Sequence, residues 1–365
     1  TSVTGLGSGQ VVTMNVTEPV APVWITGGGV SPTEDGFTYS AILDLGEYVS
    51  ADALSLLKPA SMALDDKSDL RNKNNRADYV VIANAELMEA AKALSDYRRK
   101  GMKTMIVDIQ DIYDEFSDGE PLPAAINAFV KHSQSWRTAP RYMAIVGDGS
   151  FDYRDIMGTG YNFVSPQMYG TTNGLFPSDT LLGDVDGDGV PEVAIGRIPV
   201  KSNAEGFDYV AKLAAYEAGR GDLPSLLLTD IPDKGGDFPY SQIQVERQLR
   251  GGSININLQN MDIGDARSEL GVELDHGVRM INYVGHGGMD RVASTGLIVN
   301  ADAANLSNLV TPSFIGLSCL INNYAIPGWD GLGERLVVQP SARGDAPDSH
   351  NTAGMVVSWA ASGES

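Results

Sequence analysis

The 365-residue chain has one cysteine, Cys319. That scarcity excludes an intrachain disulfide framework, a cysteine-based zinc finger and a Cys-x-x-Cys redox pair. Basic residues are also scarce: 26 Lys plus Arg face 47 Asp plus Glu, for a net charge of −21. So acidic a chain repels nucleic acid and anionic membrane surfaces, and no basic patch interleaved with aromatic residues offers single strands a platform. Charged partners should therefore be cations, calcium first, because carboxylates supply the hard oxygen ligands it requires. No apolar run approaches the roughly 18 residues of a transmembrane helix. The opening Thr-Ser-Val-Thr-Gly lacks the basic and apolar regions of a signal peptide. Phosphate-loop, H-E-x-x-H and G-x-S-x-G motifs are missing as well, as is any internal repeat, and no organic cofactor is expected.

What is present suits a globular protein of one large domain or two: 42% hydrophobic residues, with 41 Gly and 18 Pro marking many tight loops. Residues 1–75 read as a β-rich segment with strands at Gln10 to Val16, Ala21 to Ile25 and Phe37 to Leu43, ending in a polar linker from Asp65 to Arg76. From Asp78 the pattern changes to β-branched runs alternating with amphipathic ones. Strands are expected at Tyr79 to Ala83, Thr104 to Val107, Tyr142 to Val146, Glu192 to Ile195, Ser225 to Leu228, Ile254 to Leu258, Arg279 to Val284, Ser313 to Leu317 and Ala353 to Ser358. Helices are expected at Glu86 to Lys100, Ala124 to Ser135, Asn203 to Ala218, Tyr240 to Leu249 and Ala266 to Asp275. In the first of them Leu87, Ala90, Ala91 and Leu94 keep the i, i+3, i+4, i+7 spacing of one buried face. Such alternation predicts an α/β fold, a mostly parallel sheet flanked by helices, in two subdomains, 76–222 and 223–365.

Ligands of open α/β sheets bind beyond the carboxyl ends of the strands. Three features fall there: Gly147-Asp148-Gly149, Gly285-His286-Gly287-Gly288 and Ser318-Cys319. A thiolate nucleophile needs a base or cation beside it, most often histidine. If the strands before His286 and Cys319 are neighbours, both side chains project from one edge. The glycines let a substrate backbone approach, and the amides of Gly287 and Cys319 would form an oxyanion hole. A cysteine after an apolar strand is equally the mark of an inert core residue. What separates Cys319 from that reading is its conjunction with a histidine flanked by three glycines; His132, His276 and His350 have no such flanks.

The stretch Asp184-Val185-Asp186-Gly187-Asp188-Gly189-Val190-Pro191-Glu192 puts carboxylates at alternate positions, with glycines that let the chain wrap an ion. Its twelfth position would be Ile195, where an EF-hand carries a bidentate Glu, so the pattern favours a calcium-binding D-x-D-x-D-G turn, with a solvated acidic hairpin as the other reading. Asp148 and Asp152 form a second candidate ion site, where a simple turn cap is the alternative.

The blocks Ile281-Asn282-Tyr283-Val284-Gly285-His286-Gly287-Gly288 and Phe314-Ile315-Gly316-Leu317-Ser318-Cys319 resemble the gingipain-like cysteine peptidases of peptidase family C25, which have a caspase-like fold. Further blocks agree in order and spacing: Ala77 to Ile82, Ile145 to Tyr153 and Val193 to Val200. The resemblance runs from about Leu70 to Ala361. It implies a secreted or cell-surface endopeptidase acting on proteins or peptides, with Cys319 as nucleophile and His286 as general acid to the leaving amine. It further implies an acidic residue that orients the histidine, placed at Asp230 with Asp233 as the second choice.

Arginine-specific gingipains read the P1 side chain with an aspartate at the start of the next helix. Gln242 occupies that place here, and a neutral amide cannot supply the charge-assisted pairing that selects arginine. Trp329, and a polar loop near Arg343-Gly344-Asp345, depart from the family's compact sequence and are expected to shape a different pocket or flap. The chain does not begin with Met and stops before the helix and closing strand usual in the family. The expectation is therefore a processed piece of a precursor, with a separately processed C-terminal chain as partner. A non-catalytic calcium-binding cell-surface module and a secretion-associated transpeptidase or pseudo-peptidase are the alternative readings.

Overall fold

The computed structural model describes residues 1–365 except 60, 63, 65, 66, 220, 340–349 and 365. The chain divides into two units, Thr1–Lys67 and Ser68–Ser365.

The first unit holds six short strands: β1 (Ser2–Leu6), β2 (Val11–Asn15), β3 (Val23–Ile25), β4 (Gly29–Thr33), β5 (Gly36–Ser40) and β6 (Tyr48–Asp52). They form two antiparallel three-stranded sheets, ordered β1-β5-β4 and β3-β2-β6. Three of these strands were not expected. Strand β4 is exposed along its whole length, so no face is buried and no alternation betrays it. Few side chains are buried here, Tyr39 and Leu6 among them.

The second unit begins with β7 (Tyr79–Ala83), α1 (Met88–Arg98), β8 (Thr104–Asp108), α2 (Ile109–Ser117), α3 (Pro123–Ser133) and β9 (Tyr142–Val146). After a hairpin of β10 (Met168–Thr171) and β11 (Gly174–Pro177) come β12 (Ala194–Ile198) and α4 (Asn203–Glu217). The parallel sheet has the order β12-β9-β7-β8. Both of its faces are covered, which is why its strands read as continuous apolar runs. On β7, Val80 and Ile82 join α2 and α3 through Ile112, Phe129 and Val130, whereas Val81 and Ala83 face Ala90, Ala91 and Leu94 of α1 and Leu213 of α4.

Helix α2 escaped the sequence pattern because no loop precedes it. Asp108 is at once the last residue of β8 and the N-cap of α2, accepting the Gln110 N–H at 3.0 Å. Strand β12 runs further than expected because Arg197 is inside the protein, with its side chain only 5% exposed. Its guanidinium grips Asp179 through two bonds of 2.7 and 2.9 Å, donates to the carbonyls of Gly147 and Val164, and lies 4.7 Å from the Tyr324 ring.

The chain continues with β13 (Ser225–Thr229), α5 (Phe238–Glu246), β14 (Ser253–Asn257), α6 (Ile263–His276) and β15 (Met280–Val284). Three two-residue strands follow, β16 (Gly287–Gly288), β17 (Arg291–Val292) and β18 (Ile298–Val299), then α7 (Asn300–Ala303), β19 (Ser313–Leu317), α8 (Leu332–Val337) and β20 (Val357–Ala360). The second parallel sheet has the order β14-β13-β15-β19-β20. Leu226, Leu228, Ile281, Tyr283 and Phe314 share a core with Ala266, Leu270 and Leu274 of α6 and with Leu332 and Leu336 of α8. The two parallel sheets flanked by helices give the α/β architecture expected from the alternating pattern. Among the described residues no helix is long and apolar enough to cross a membrane.

Removing the Arg197 side chain strands the Asp179 carboxylate, an uncompensated buried charge whose cost is typically about 3–5 kcal/mol. Arg197→Ala should lower the urea midpoint accordingly. Arg197→Lys should recover little, since an ammonium cannot reproduce the two-pronged contact. Wild-type stability in either variant would remove this ion pair from the list of stabilising contacts.

Candidate active site

Strands β15 and β19 pair in parallel with Val284 opposite Leu317. His286 and Cys319 each lie two residues beyond that pair, so they leave the sheet side by side, on strands about 4.8 Å apart. The His286 loop then lies directly on the Cys319 turn. A Cβ at Gly287 would come within 2.2 Å of Ser318 Oγ and 2.7 Å of the Cys319 carbonyl oxygen, so only glycine allows this approach. The turn after the cysteine is sharp. Leu320 has φ +60°, a left-handed conformation that costs a non-glycine residue about 1–2 kcal/mol. It is held by the Asn323 N–H donating to the Leu320 carbonyl and by the Leu320 N–H donating to Gly363, each at 3.0 Å. Cys319 is consequently half-buried at the sheet edge.

The imidazole of His286 is met by Asp233, with Nε2 to Oδ2 at 2.9 Å. Phe238, the first residue of α5, packs edge to face on the ring at 5.1 Å. The turn that presents Asp233 passes so close that a Cβ at Gly235 would sit 2.9 Å from His286 Cε1. The Gly235 N–H, 2.8 Å from Asp233 Oδ1, and then His286 hold the Asp233 carboxyl below the usual carboxylate range.

Asp230, the first choice for orienting the imidazole, grips main chain. Its own N–H still follows the sheet register, donating to Val284 at 3.1 Å, and this keeps the side chain beneath the His286 loop, only 4% exposed. There its carboxylate accepts the His286 N–H at 3.2 Å, the Ile231 N–H at 2.8 Å and the Tyr283 phenol at 3.1 Å. The phenol is also 2.5 Å from the His286 carbonyl, so its single proton lies between two acceptors. Burial and the Asp230 carboxylate raise the Tyr283 phenol far above its ordinary range, keeping it a donor. Tyr283 stood in the block quoted for its resemblance but read only as a strand residue. Its part in the site comes from contacts with residues distant in sequence.

Gly287 opposes Val292 in the antiparallel pair β16–β17, and the Ala293 N–H donates to the His286 carbonyl at 2.9 Å. That bond makes Gly287 and Val292 a non-hydrogen-bonded pair, so the ladder does not use the Gly287 amide. Gln242 is buried on α5 and forms part of the wall of a cavity of about 320 Å³ that also includes Thr229, Glu246 and Asn257. Trp329 lies in the loop before α8, half-exposed, and does not line that cavity. The loop at Arg343, Gly344 and Asp345 lies outside the described residues.

In the acidic turn, Asp184, Asp186 and Asp188 bring carboxylate oxygens within 4.8 Å of one another. Glu192 braces the turn by accepting the Val185 N–H at 2.8 Å. Asp152 accepts the amides of Ile156 and Met157 at 3.0 and 2.6 Å, the turn-cap arrangement. Asp148 joins Asp330 and Glu334, brought to it by the loop after Cys319 and by α8. Lys201 lies 3.4 Å from Asp148 and bonds Asp330. Burial pushes the Asp148 carboxyl up to about 6 against the pull of Lys201, and burial and then Asp148 push Glu334 up in turn.

The sequence profile of peptidase family C25 matches residues 72–365. A comparison with curated protein sequences finds no match. Among solved structures, gingipain R (RgpB), described as an Arg-specific cysteine proteinase, is similar with a TM-score of 0.59 and 19% identity, over 78% of this chain and 62% of that one. The complex of RgpB pro- and mature domains from Porphyromonas gingivalis gives 0.59 and 19%, over 77% and 62%. A structure described as a protease gives 0.56 and 21%, over 79% and 59%. At these identities the likeness is one of fold. The chain spans about three fifths of the length of these proteins.

The raised carboxyl of Asp148 makes a directional prediction. Its ordinary value is 3.8 and its folded value about 6, so between them the folded state holds the extra proton. The contribution to stability is full below about pH 3.8 and is lost as pH rises through about 6. Urea unfolding in chelator at pH 4, 5, 6 and 7 should show that slope in the wild type and a flatter profile in Asp148→Asn. Identical profiles would show that Asp148 is not the group responsible.

Proposed function

The chain belongs to peptidase family C25, and from that membership we propose that it is a cysteine endopeptidase acting on proteins or peptides through Cys319 and His286. The observation that carries the proposal is the register of β15 on β19, which sets the histidine and the sole cysteine at equal offsets beyond one sheet edge. In the proposed reaction the Cys319 thiol gives its proton to the His286 imidazole and the sulfur attacks the scissile carbonyl. The developing oxyanion is met by the amides of Gly287 and Cys319. Collapse breaks the C–N bond, and His286 hands its proton to the leaving amine. Water then attacks the thioester with His286 taking its proton, the carboxylic acid leaves, and the proton returns to the thiolate. Asp233 orients the imidazole and stabilises its protonated form, while Asp230 and Tyr283 hold the histidine's main chain. Gln242, neutral where a charge would pair with arginine, argues against the specificity named for gingipain R.

We further propose that the turn at Asp184, Asp186, Asp188 and Glu192 holds calcium and that the protein works outside the cell or on its surface. Three carboxylates already gathered within 4.8 Å fit a hard cation that takes six to eight oxygens. The ion's part would be structural, bracing the loop that leads into β12.

On casein, Cys319→Ala should abolish cleavage, and His286→Ala should lower kcat by about 10²–10⁴, the usual weight of general acid–base catalysis. Asp233→Asn should cost roughly tenfold with little change in KM. Cleavage that survives Cys319→Ala would end the assignment.

Chelation should lower the melting temperature, and added calcium should restore it. Asp184→Asn combined with Asp186→Asn should abolish both responses. A melting temperature indifferent to chelator and calcium in the wild type would remove calcium from this turn.

A further inference from the structure

Strands β7 and β8 begin side by side, with Tyr79 opposite Thr104, and basic residues collect at that end of the sheet. Arg76 and Lys103 come from the segments entering the two strands, and Arg99 and Lys100 from the end of α1; together they line an open pocket of about 610 Å³. The one carboxylate in its wall, Asp78, is engaged by main chain, its Oδ2 accepting the Lys103 N–H at 2.8 Å. Four cations against one carboxylate reverse the balance of the whole chain, whose net charge is −21. We propose that this pocket binds a compact oligophosphate, a small molecule carrying two or three linked phosphate groups.

The cations go unanswered in a chain where carboxylates are plentiful. Elsewhere in this unit Arg98 pairs with Glu217, Arg197 with Asp179, Lys201 with Asp330 and Arg267 with Asp302. In the pocket, among the described residues, Arg76, Lys100 and Lys103 pair with no carboxylate. Lys100 rests on the Tyr97 ring at 5.1 Å, and Arg99 meets Asp96 at 3.1 Å, with both side chains more than half exposed. So exposed a pair contributes little. Basic residues at the end of a helix answer its dipole, which accounts for Arg99 and Lys100. It does not account for Arg76 and Lys103, which other segments bring to the same place. Like charges gathered in this way repel one another unless an anion lies between them.

The chemistry of the ligand follows from the wall. Guanidinium forks match the paired oxygens of a phosphate, and ammonium groups act beside them as point charges. Met102 is the only large apolar side chain in the lining, so charge rather than apolar burial selects the ligand. A single phosphate bears at most about two negative charges, fewer than the wall's excess of cations, whereas two or three linked groups bear enough. Size is bounded from the other side. A charge is felt over about 8 Å at physiological salt, so a compact ligand meets the pocket alone, while a long polyanion would also lie against the acidic remainder of the surface. The pocket is separate from the reacting groups. It opens at the amino ends of β7 and β8, whereas the loop after Cys319 adjoins the carboxyl end of the same sheet, where the Phe151 N–H donates to Ala325. The five residues of a strand, about 17 Å, divide the two ends, and binding in the pocket does not depend on the peptidase chemistry.

The test is fluorescence anisotropy of a fluorescein-tagged tripolyphosphate, kept at nanomolar concentration so that it takes no calcium from the protein and titrated with the full chain at about 0.15 M salt. Wild type should bind the probe. Arg76→Gln combined with Lys103→Gln should weaken binding about tenfold or more through the loss of charge-assisted bonds, with no fall in melting temperature, since both side chains are exposed. Lys131→Gln combined with Arg247→Gln removes the same charge from exposed positions outside the pocket and should leave binding unchanged. A tag bearing one phosphate, a tagged hexaglutamate and a tagged single-stranded oligonucleotide should each bind about tenfold more weakly than the tripolyphosphate, or worse. No binding by wild type, binding retained in the Arg76 and Lys103 variant, or an equal loss in both double variants would overturn the pocket. Binding of the single phosphate, the peptide or the oligonucleotide as tight as that of the tripolyphosphate would overturn its assignment to a compact oligophosphate.

Discussion

The register between β15 and β19 is the constraint on which the site depends. With Val284 opposite Leu317, the residues two places further on are His286 and Cys319. A slip of one residue would turn one of them to the other face of the sheet. The register is held by burial, because Ile281 and Tyr283 on one strand and Phe314 on the other, all on one face of the sheet, are locked into the core with α6 and α8. The absence of a side chain at Gly287 then lets the two loops touch. A buried core thus sets the geometry of two half-exposed groups.

The two carboxylates near His286 divide the work by depth. Asp230, still in strand register, is buried and bound by amides and a phenol, so it fixes the histidine's main chain. Asp233, three residues on and in a turn, is half-exposed and reaches the ring. A similar contrast of depth runs through the acidic side chains generally. The half-buried carboxylate of Asp184 and the exposed one of Asp186 accept their own loop's amides. Buried ones at Asp148 and Glu334 face each other near Lys201, and desolvation raises both. The net charge of −21 is therefore a sum over unlike environments.

Two of the buried polar groups without partners flank the site in sequence. The Gln242 amide and the Ser318 hydroxyl are buried without partners among the described residues. Departures of this kind from local consistency belong at functional positions, where stability is given up for binding.

The alternation of strands and helices from Tyr79 onward, the glycine-flanked histidine and the cysteine at strand ends, and the acidic turn are all written in the order of residues. Each is a local pattern, and local patterns are written in consecutive residues. Elements lacking such a pattern were illegible: α2 because its cap belongs to the preceding strand, β4 because neither of its faces is buried. Only the folded chain brings Asp233 to the imidazole and Asp230 to the main chain, sets Asp148 beside Asp330 and Glu334, and leaves the Gln242 amide without a partner among the described residues. Those outcomes depend on which distant segments the sheet brings together and on how deeply each charge or amide is buried, and no spacing along the chain encodes either.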